Sequence, residues 1–199
     1  MNKTFRENIL AMPQHYPGKV HYQNDAKFTP ISLGNIESYI AIGTDDRFSY
    51  FVKPQLNTGF IFQNEDLASG HQHAMPVMTV SLRNSGIGEL KQAYELRIRG
   101  DFYRENLTSS WYVYFINRVG GIVSDAEHLQ GGKMLWKSFI KIATNDPVLS
   151  ITLLDKTSGN SRIVTAATPD SEIWSVGDSK KNLVLVFRKT DEPENNSKQ

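Results

Sequence analysis

Most hydrophobic positions of this chain sit in short runs divided by turn residues, and a helical period appears clearly in one place. Tyr39–Thr44, Phe48–Lys53 and Phe60–Gln63 read as strands joined by turns at Asp45-Asp46 and Asn57-Thr58-Gly59, which predicts an antiparallel meander. Val77–Leu82 is a further strand, and Asn84–Gly88 a turn. Between Glu89 and Phe102, Tyr94, Leu96 and Ile98 alternate with Glu95, Arg97 and Arg99, the pattern of a half-exposed strand; Glu89–Ala93 fits a helical turn as well. Leu149–Leu154 and Arg162–Ala166 bracket Thr157-Ser158-Gly159-Asn160 as a hairpin. Ser171–Val176 reads as a helical turn and Leu183–Phe187 as a final strand. The remainder is less regular: a short helix is expected within residues 1–12, irregular chain over Val20–Pro30, and polar loops over Asn64–Pro76 and Arg104–Ser110.

The stretch from Trp111 to Asn145 carries the most information. Trp111–Ile116 is an unbroken run of aromatic and β-branched residues, which predicts a buried strand, and Gly120-Gly121 then supplies a tight turn into Ile122 and Val123. From Lys133 the period becomes helical. Leu135, Phe139 and Ile142 form one stripe, Trp136, Ile140 and Ala143 the adjacent one, and Lys133, Lys137 and Lys141 a cationic ridge on the far side. Asn145-Asp146-Pro147 ends this helix, because proline disfavours helical geometry in the residue before it. Its start has two readings: a capping box from Ser124 to Glu127, or a loop over His128–Gly132 with the helix beginning near Lys133. The paired glycines favour the loop. The expected architecture is one α+β domain over residues 1–189, a mostly antiparallel sheet with one main amphipathic helix (about 131–144) on one face, and a disordered polar tail over 190–199.

Composition narrows the function little. A chain of 199 residues with 39% hydrophobic and 22% charged residues suits a soluble globular protein. A net charge of +1 argues against coating nucleic acid by bulk charge, while leaving room for a local basic face. The absence of cysteine excludes disulfides and thiolate metal sites. Together with an N-terminus lacking a signal-like apolar run, it favours the cytoplasm. No stretch has the length of a membrane span.

Three constellations could carry chemistry. Arg97, Arg99, Arg104 and Arg118 lie among Tyr94, Tyr103, Trp111, Tyr112 and Tyr114, and arginine beside aromatic rings on a sheet face grips nucleic acid by phosphate contact and stacking. Arg97, Arg99, Arg118, Tyr112 and Tyr114 with the Lys133, Lys137, Lys141 ridge therefore form the expected binding face, for a protein or nucleic-acid partner. His71 and His73 form an HxH pair, to which Asp125, Glu127 and His128 would add metal ligands. HxH resembles the opening of the cupin metal motif, although AMPVMT follows His73 where that family has a glutamate.

Finally, the strand, glycine loop, helix and strand expected over residues 111–154 are similar to the acetyl-CoA-binding core of the GNAT N-acetyltransferases. His128-Leu129-Gln130-Gly131-Gly132-Lys133 falls where that family has R/Q-x-x-G-x-G/A, sharing the central glycine. The resemblance implies acetyl-CoA as cofactor, with its phosphates at Gly131, Gly132 and Lys133. The leading expectation is an intracellular binding protein that uses the basic-aromatic face. The alternatives are an acyl-CoA-dependent N-acyltransferase and a His/carboxylate metal enzyme. Arg99-Gly100-Asp101 and Asn106-Leu107-Thr108 match an integrin tripeptide and a glycosylation sequon, which have meaning only in a secreted protein.

Overall fold

A computed structural model describes residues 28–102, 105–124, 130–174 and 182–190. In chain order the described elements are β1 (Ile31–Ser32), α1 (Leu33–Ile36), β2 (Ile40–Thr44), β3 (Phe48–Val52), β4 (Thr58–Gln63), α2 (Asn64–Ala68), β5 (His73–Ala74), β6 (Met78–Asn84), β7 (Lys91–Ile98), a 3-10 turn (Gly100–Phe102), α3 (Leu107–Val119), β8 (Gly121–Val123), α4 (Gln130–Asn145), β9 (Leu149–Asp155), β10 (Ser161–Ile163), α5 (Asp170–Ile173) and β11 (Leu183–Lys189). Nine strands form one sheet in the order β10-β9-β11-β8-β7-β6-β4-β3-β2, and β1 and β5 form a separate pair. The mixed α+β class and the mostly antiparallel sheet are as expected.

The meander β2–β3–β4 follows from its alternation and its turn. Asp45 Oδ1 accepts the N–H groups of Arg47 and Phe48 at 2.9 and 2.8 Å, closing the β2–β3 connection. The β9–β10 hairpin turns at Gly159, whose φ of +75° suits glycine. There the N–H of Thr157 and the hydroxyl of Ser158 hold the Asp155 carboxyl below the usual carboxylate range. Asn64–Ala68, expected as loop, forms a short helix.

The main correction concerns Trp111–Ile116, which is helical and lies within α3. Strand propensity misled because Trp111, Tyr112, Val113, Phe115 and Ile116 are all buried. A helix apolar on nearly every side lacks the polar stripe that marks a helical period. Gly120 is the left-handed cap of this helix, donating its N–H to the Ile116 carbonyl, so the Gly120-Gly121 pair makes no hairpin. The expectation of one main helix is corrected with it: α3 and α4 are both long. α4 begins at Gln130, so Gly131 and Gly132 belong to its first turn instead of a loop. Each costs about 1 kcal/mol against alanine there.

Both long helices pack on one face of the sheet. Trp111, Tyr112, Phe115, Trp136 and Phe139 meet Tyr50, Ile61, Met78, Val80 and Phe187 in the main core. Two glycines make room for α3. A Cβ on Gly43 would lie 2.0 Å from the Tyr114 ring, and one on Gly59 would lie 2.4 Å from the Trp111 indole. The opposite face carries two smaller clusters, Phe60, Phe62, Ile36 and Ala74 near the β1–β5 pair, and Val123, Val184 and Val186 with Ile87 and Leu90.

At the chain ends, Thr190 still bonds the turn after α4, through its N–H to Val148 O and its hydroxyl to Pro147 O. The expected short helix within 1–12 and the tail beyond Thr190 lie outside the described residues.

A wedge in the sheet as candidate functional site

The expected basic-aromatic face is not assembled as one surface. Ile98 belongs to the core on the helical side and Leu96 packs against it, so alternation turns Arg97 to the other side of the sheet. Arg97 is paired with Glu95 at 2.6 Å. Arg99 lies over the Phe102 ring, 5.1 Å from its centroid, with Asp101 at 3.3 Å. Tyr112 is 7% exposed and sits against Phe139, out of reach of a partner. Tyr114 donates its hydroxyl to Thr44 O at 3.0 Å. Tyr50, beside Tyr114, donates to Asp45 at 2.7 Å, and burial, followed by that carboxylate, pushes its hydroxyl far above the usual tyrosine range. Arg118 is exposed in the last turn of α3. On α4, Lys137 is paired with Asp170, Lys133 is half-buried and Lys141 is exposed, all on the helical side, opposite Arg97.

Of the metal constellation, only the HxH pair lies within the described residues. His71 and His73 are exposed, and His73 is paired in register with Ser32. Among the described residues no group of three or more His, Asp or Glu could hold an ion. Asp125, Glu127 and His128 lie outside the described residues, as does Arg104.

What the fold builds instead is a split in the large sheet. β7, α3 and β8 form a strand–loop–helix–strand unit, and β7–β8 is the one parallel pairing among the described strands. That pairing covers only Lys91↔Ile122 and Gln92↔Val123. Beyond it β8 leaves β7 and follows β11. Ser124 N–H donates to Leu185 O at 2.8 Å, and Leu185 N–H donates to Ser124 Oγ at 2.8 Å. β7 continues from Ala93 to Ile98 with β6 on one side and no strand neighbour among the described residues on the other. Arg99 N–H donates to Val77 O, which places the odd positions toward β6; the backbone groups of Leu96 and Ile98 therefore face the gap. A bulge opposite Ser81 and Leu82 adds local twist where the strands part.

The wide end of this wedge meets a helix N-terminus. α3 follows β7 after a short loop. Its N-cap residue Asn106 has φ of 55° and makes no side-chain capping bond, and its first turn carries no acidic residue. Ser109 in that turn is 1% exposed, and its Oγ has no hydrogen-bond partner among the described residues. The N–H groups and the dipole at a helix N-terminus favour an anion. At the narrow end, the Gln92 side chain spans from β7 to β8, donating Nε2–H to Ser124 O at 2.8 Å and accepting from Arg83 Nε at 3.0 Å. Gln92 and Ser109 carry no mark in the sequence, and Leu96, Ile98 and Ser124 read there only as strand and helix-cap positions. Their importance depends on where two strands separate, which leaves no mark in residue type.

No protein-family model, curated protein or solved structure matches this chain. Among the described residues no helix is long and apolar enough to cross a membrane.

Proposed function

We propose that this chain binds an acyl-CoA in the wedge between β7 and β8 and belongs functionally with N-acyltransferases of the GNAT kind. The observation that carries the reading is the stretch of β7 beyond Gln92, which pairs with no strand on its β8 side among the described residues, beside the short parallel strand β8. Acyl-CoA has an extended arm with two amides, and such an arm pairs with an exposed strand edge as an added strand does. The backbone of Leu96 and Ile98 would hold the arm, and the N–H groups opening α3 would meet the diphosphate. The similarity to the acetyl-CoA core thus moves from residues 111–154 to the unit Lys91–Val123. Gly131, Gly132 and Lys133, at the start of α4, no longer serve as the phosphate loop. When bound, the thioester supplies the activated acyl group; the protein's part is to hold the arm straight and keep the acyl end at the narrow part of the wedge.

Acetyl-CoA at a hundredfold excess over its Kd should stabilise the fold by about 2.7 kcal/mol, a rise in Tm of about 5–10 °C for a chain of this size. No rise at millimolar ligand overturns the reading. Thr108→Glu in the first turn of α3 separates binding from folding. A carboxylate there favours the helix by about 0.3–1 kcal/mol, so the variant should melt no lower than wild type while binding acetyl-CoA at least tenfold more weakly.

A second reading keeps a macromolecular partner, on the observation that Arg118, Lys133 and Lys141 have no ion pair among the described residues. Charge reversal at all three should then flatten the salt dependence of binding to an anionic polymer. An unchanged slope in a titration against heparin or nucleic acid removes this reading.

A further inference from the structure

We infer that the tip of the β6–β7 hairpin is a strap across the seam between the two halves of the large sheet, and that it opens while the rest of the fold stays closed. Strands β2, β3, β4, β6 and β7 form one half, and β8, β9, β10 and β11 the other. Among the described residues the pairs Lys91↔Ile122 and Gln92↔Val123 are the strand pairing that joins them. On the helical side the main core spans both halves, since Tyr50, Ile61 and Val80 share it with Ile122, Ile151 and Phe187. On the opposite side residues 85–90 bridge the seam. Ile87 and Leu90 pack against Val123 of β8, Val184 and Val186 of β11, and Leu154 of β9. Leu90 Cδ2 lies 3.2 Å from where a Cβ on Gly121 would stand. From the end of β9, Lys156 donates Nζ–H to Ser85 O at 2.9 Å.

The tip holds its own shape. Ser85 N–H and its hydroxyl both donate to Leu90 O, at 3.2 and 2.7 Å. The same hydroxyl oxygen accepts Ile87 N–H at 3.0 Å, and Leu90 N–H donates to Ile87 O at 3.1 Å. These bonds lie within residues 85–90, so lifting the tip breaks none of them. Gly86 and Gly88, with φ of +78° and +52°, flank Ile87, and a Cβ on either would meet nothing within 4 Å. Among the described residues the tip is thus held down by two half-buried aliphatic side chains and one bond from an exposed lysine. A unit with so few anchors opens far below the free energy of global unfolding. Lifting it uncovers Val123, Val184 and Val186, and leaves the seam on that side to Gln92, which donates Nε2–H to Ser124 O. The inference needs no ligand, so it stands or falls apart from the acyl-CoA reading.

The chain has no cysteine, so single cysteines report opening without background. Val186 and Leu185 are neighbours on β11 and both are buried, Val186 in the cluster under the strap and Leu185 in the main core. In the full chain, Val186→Cys should react with a small thiol reagent at least about a hundredfold faster than Leu185→Cys. Its rate should change little in low urea, whereas Leu185→Cys, reached through global unfolding, should accelerate steeply. Lys156→Met keeps an apolar stem and loses the bond to Ser85 O, so it should speed labelling of Val186→Cys about tenfold. Lys137→Met removes the ion pair to Asp170 on the helical side and should leave that rate unchanged. Should Val186→Cys not fold, Val184→Cys reports on the same cluster. Equal rates with equal urea dependence at the two positions would show that this face opens only with the whole fold, and would overturn the inference. Fast labelling under the strap that neither Lys156→Met nor Ile87→Ala raises would overturn it as well, because the hairpin tip would then not be what covers the valines.

Discussion

Replacing Phe139 with alanine should cost the fold about 3–5 kcal/mol, the range for truncating a buried aromatic side chain. Phe139 is fully buried, and its ring lies 5.3 Å from Tyr112, 5.7 Å from Trp136 and 5.2 Å from Phe187. It is therefore where α3, α4 and β11 meet, and no single element can relax to fill the space. Since a whole domain is stable by only about 5–15 kcal/mol, the variant should unfold at a far lower denaturant concentration. A loss below about 1 kcal/mol, the ordinary cost of a point substitution, would mean that the two helices do not share a core.

Gly59→Ala should destabilise by about 3 kcal/mol, the upper end of the range for overfilling a core. A single methyl suffices because β4 is held on both sides, Gly59 pairing with Val52 of β3 and Val80 of β6, while the new Cβ would lie 2.4 Å from Trp111 Cζ2 and 2.7 Å from its Nε1. Trp111→Phe removes the indole atoms nearest that methyl. In its background Gly59→Ala should cost less than about 1 kcal/mol, a coupling of the size expected between touching residues. Equal costs in both backgrounds, by equilibrium denaturation, would show that the ring does not rest on the glycine.

These two residues also show what the sequence makes legible. Phe139 was readable because α4 is amphipathic: Leu135, Phe139 and Ile142 fall on a stripe that faces the core, and all three are buried. The meander and the hairpin were readable for a similar reason, since alternation and turn residues coincide at Asp45 and Gly159. α3 was not. WYVYFI has the composition of a strand, and burial on nearly every side erased the helical period. Its length was the available signal, because Leu107–Val119 runs uninterrupted to Gly120 and exceeds an ordinary strand. Because α3 is a helix, the strand–loop–helix–strand unit spans Lys91–Val123, one element earlier than composition suggests. Arg97 and Lys141 looked like neighbours on one face only while the course of the sheet between them was unknown.

The order of strands has a consequence for how the protein is made. β11 is the last of the described strands yet lies inside the sheet, between β8 and β9. Until residues 183–189 leave the ribosome, β8 joins the N-terminal strands, among the described residues, through the two pairs with β7, and the β9–β10 hairpin lacks the strand that links it to them. The N-terminal meander can form from local contacts during synthesis, whereas the C-terminal strands join it only once residues 183–189 have been made. A nascent chain stalled before Leu183 therefore presents unpaired strand edges for long enough to need a chaperone, and a stop codon there should yield aggregate in place of a shortened protein.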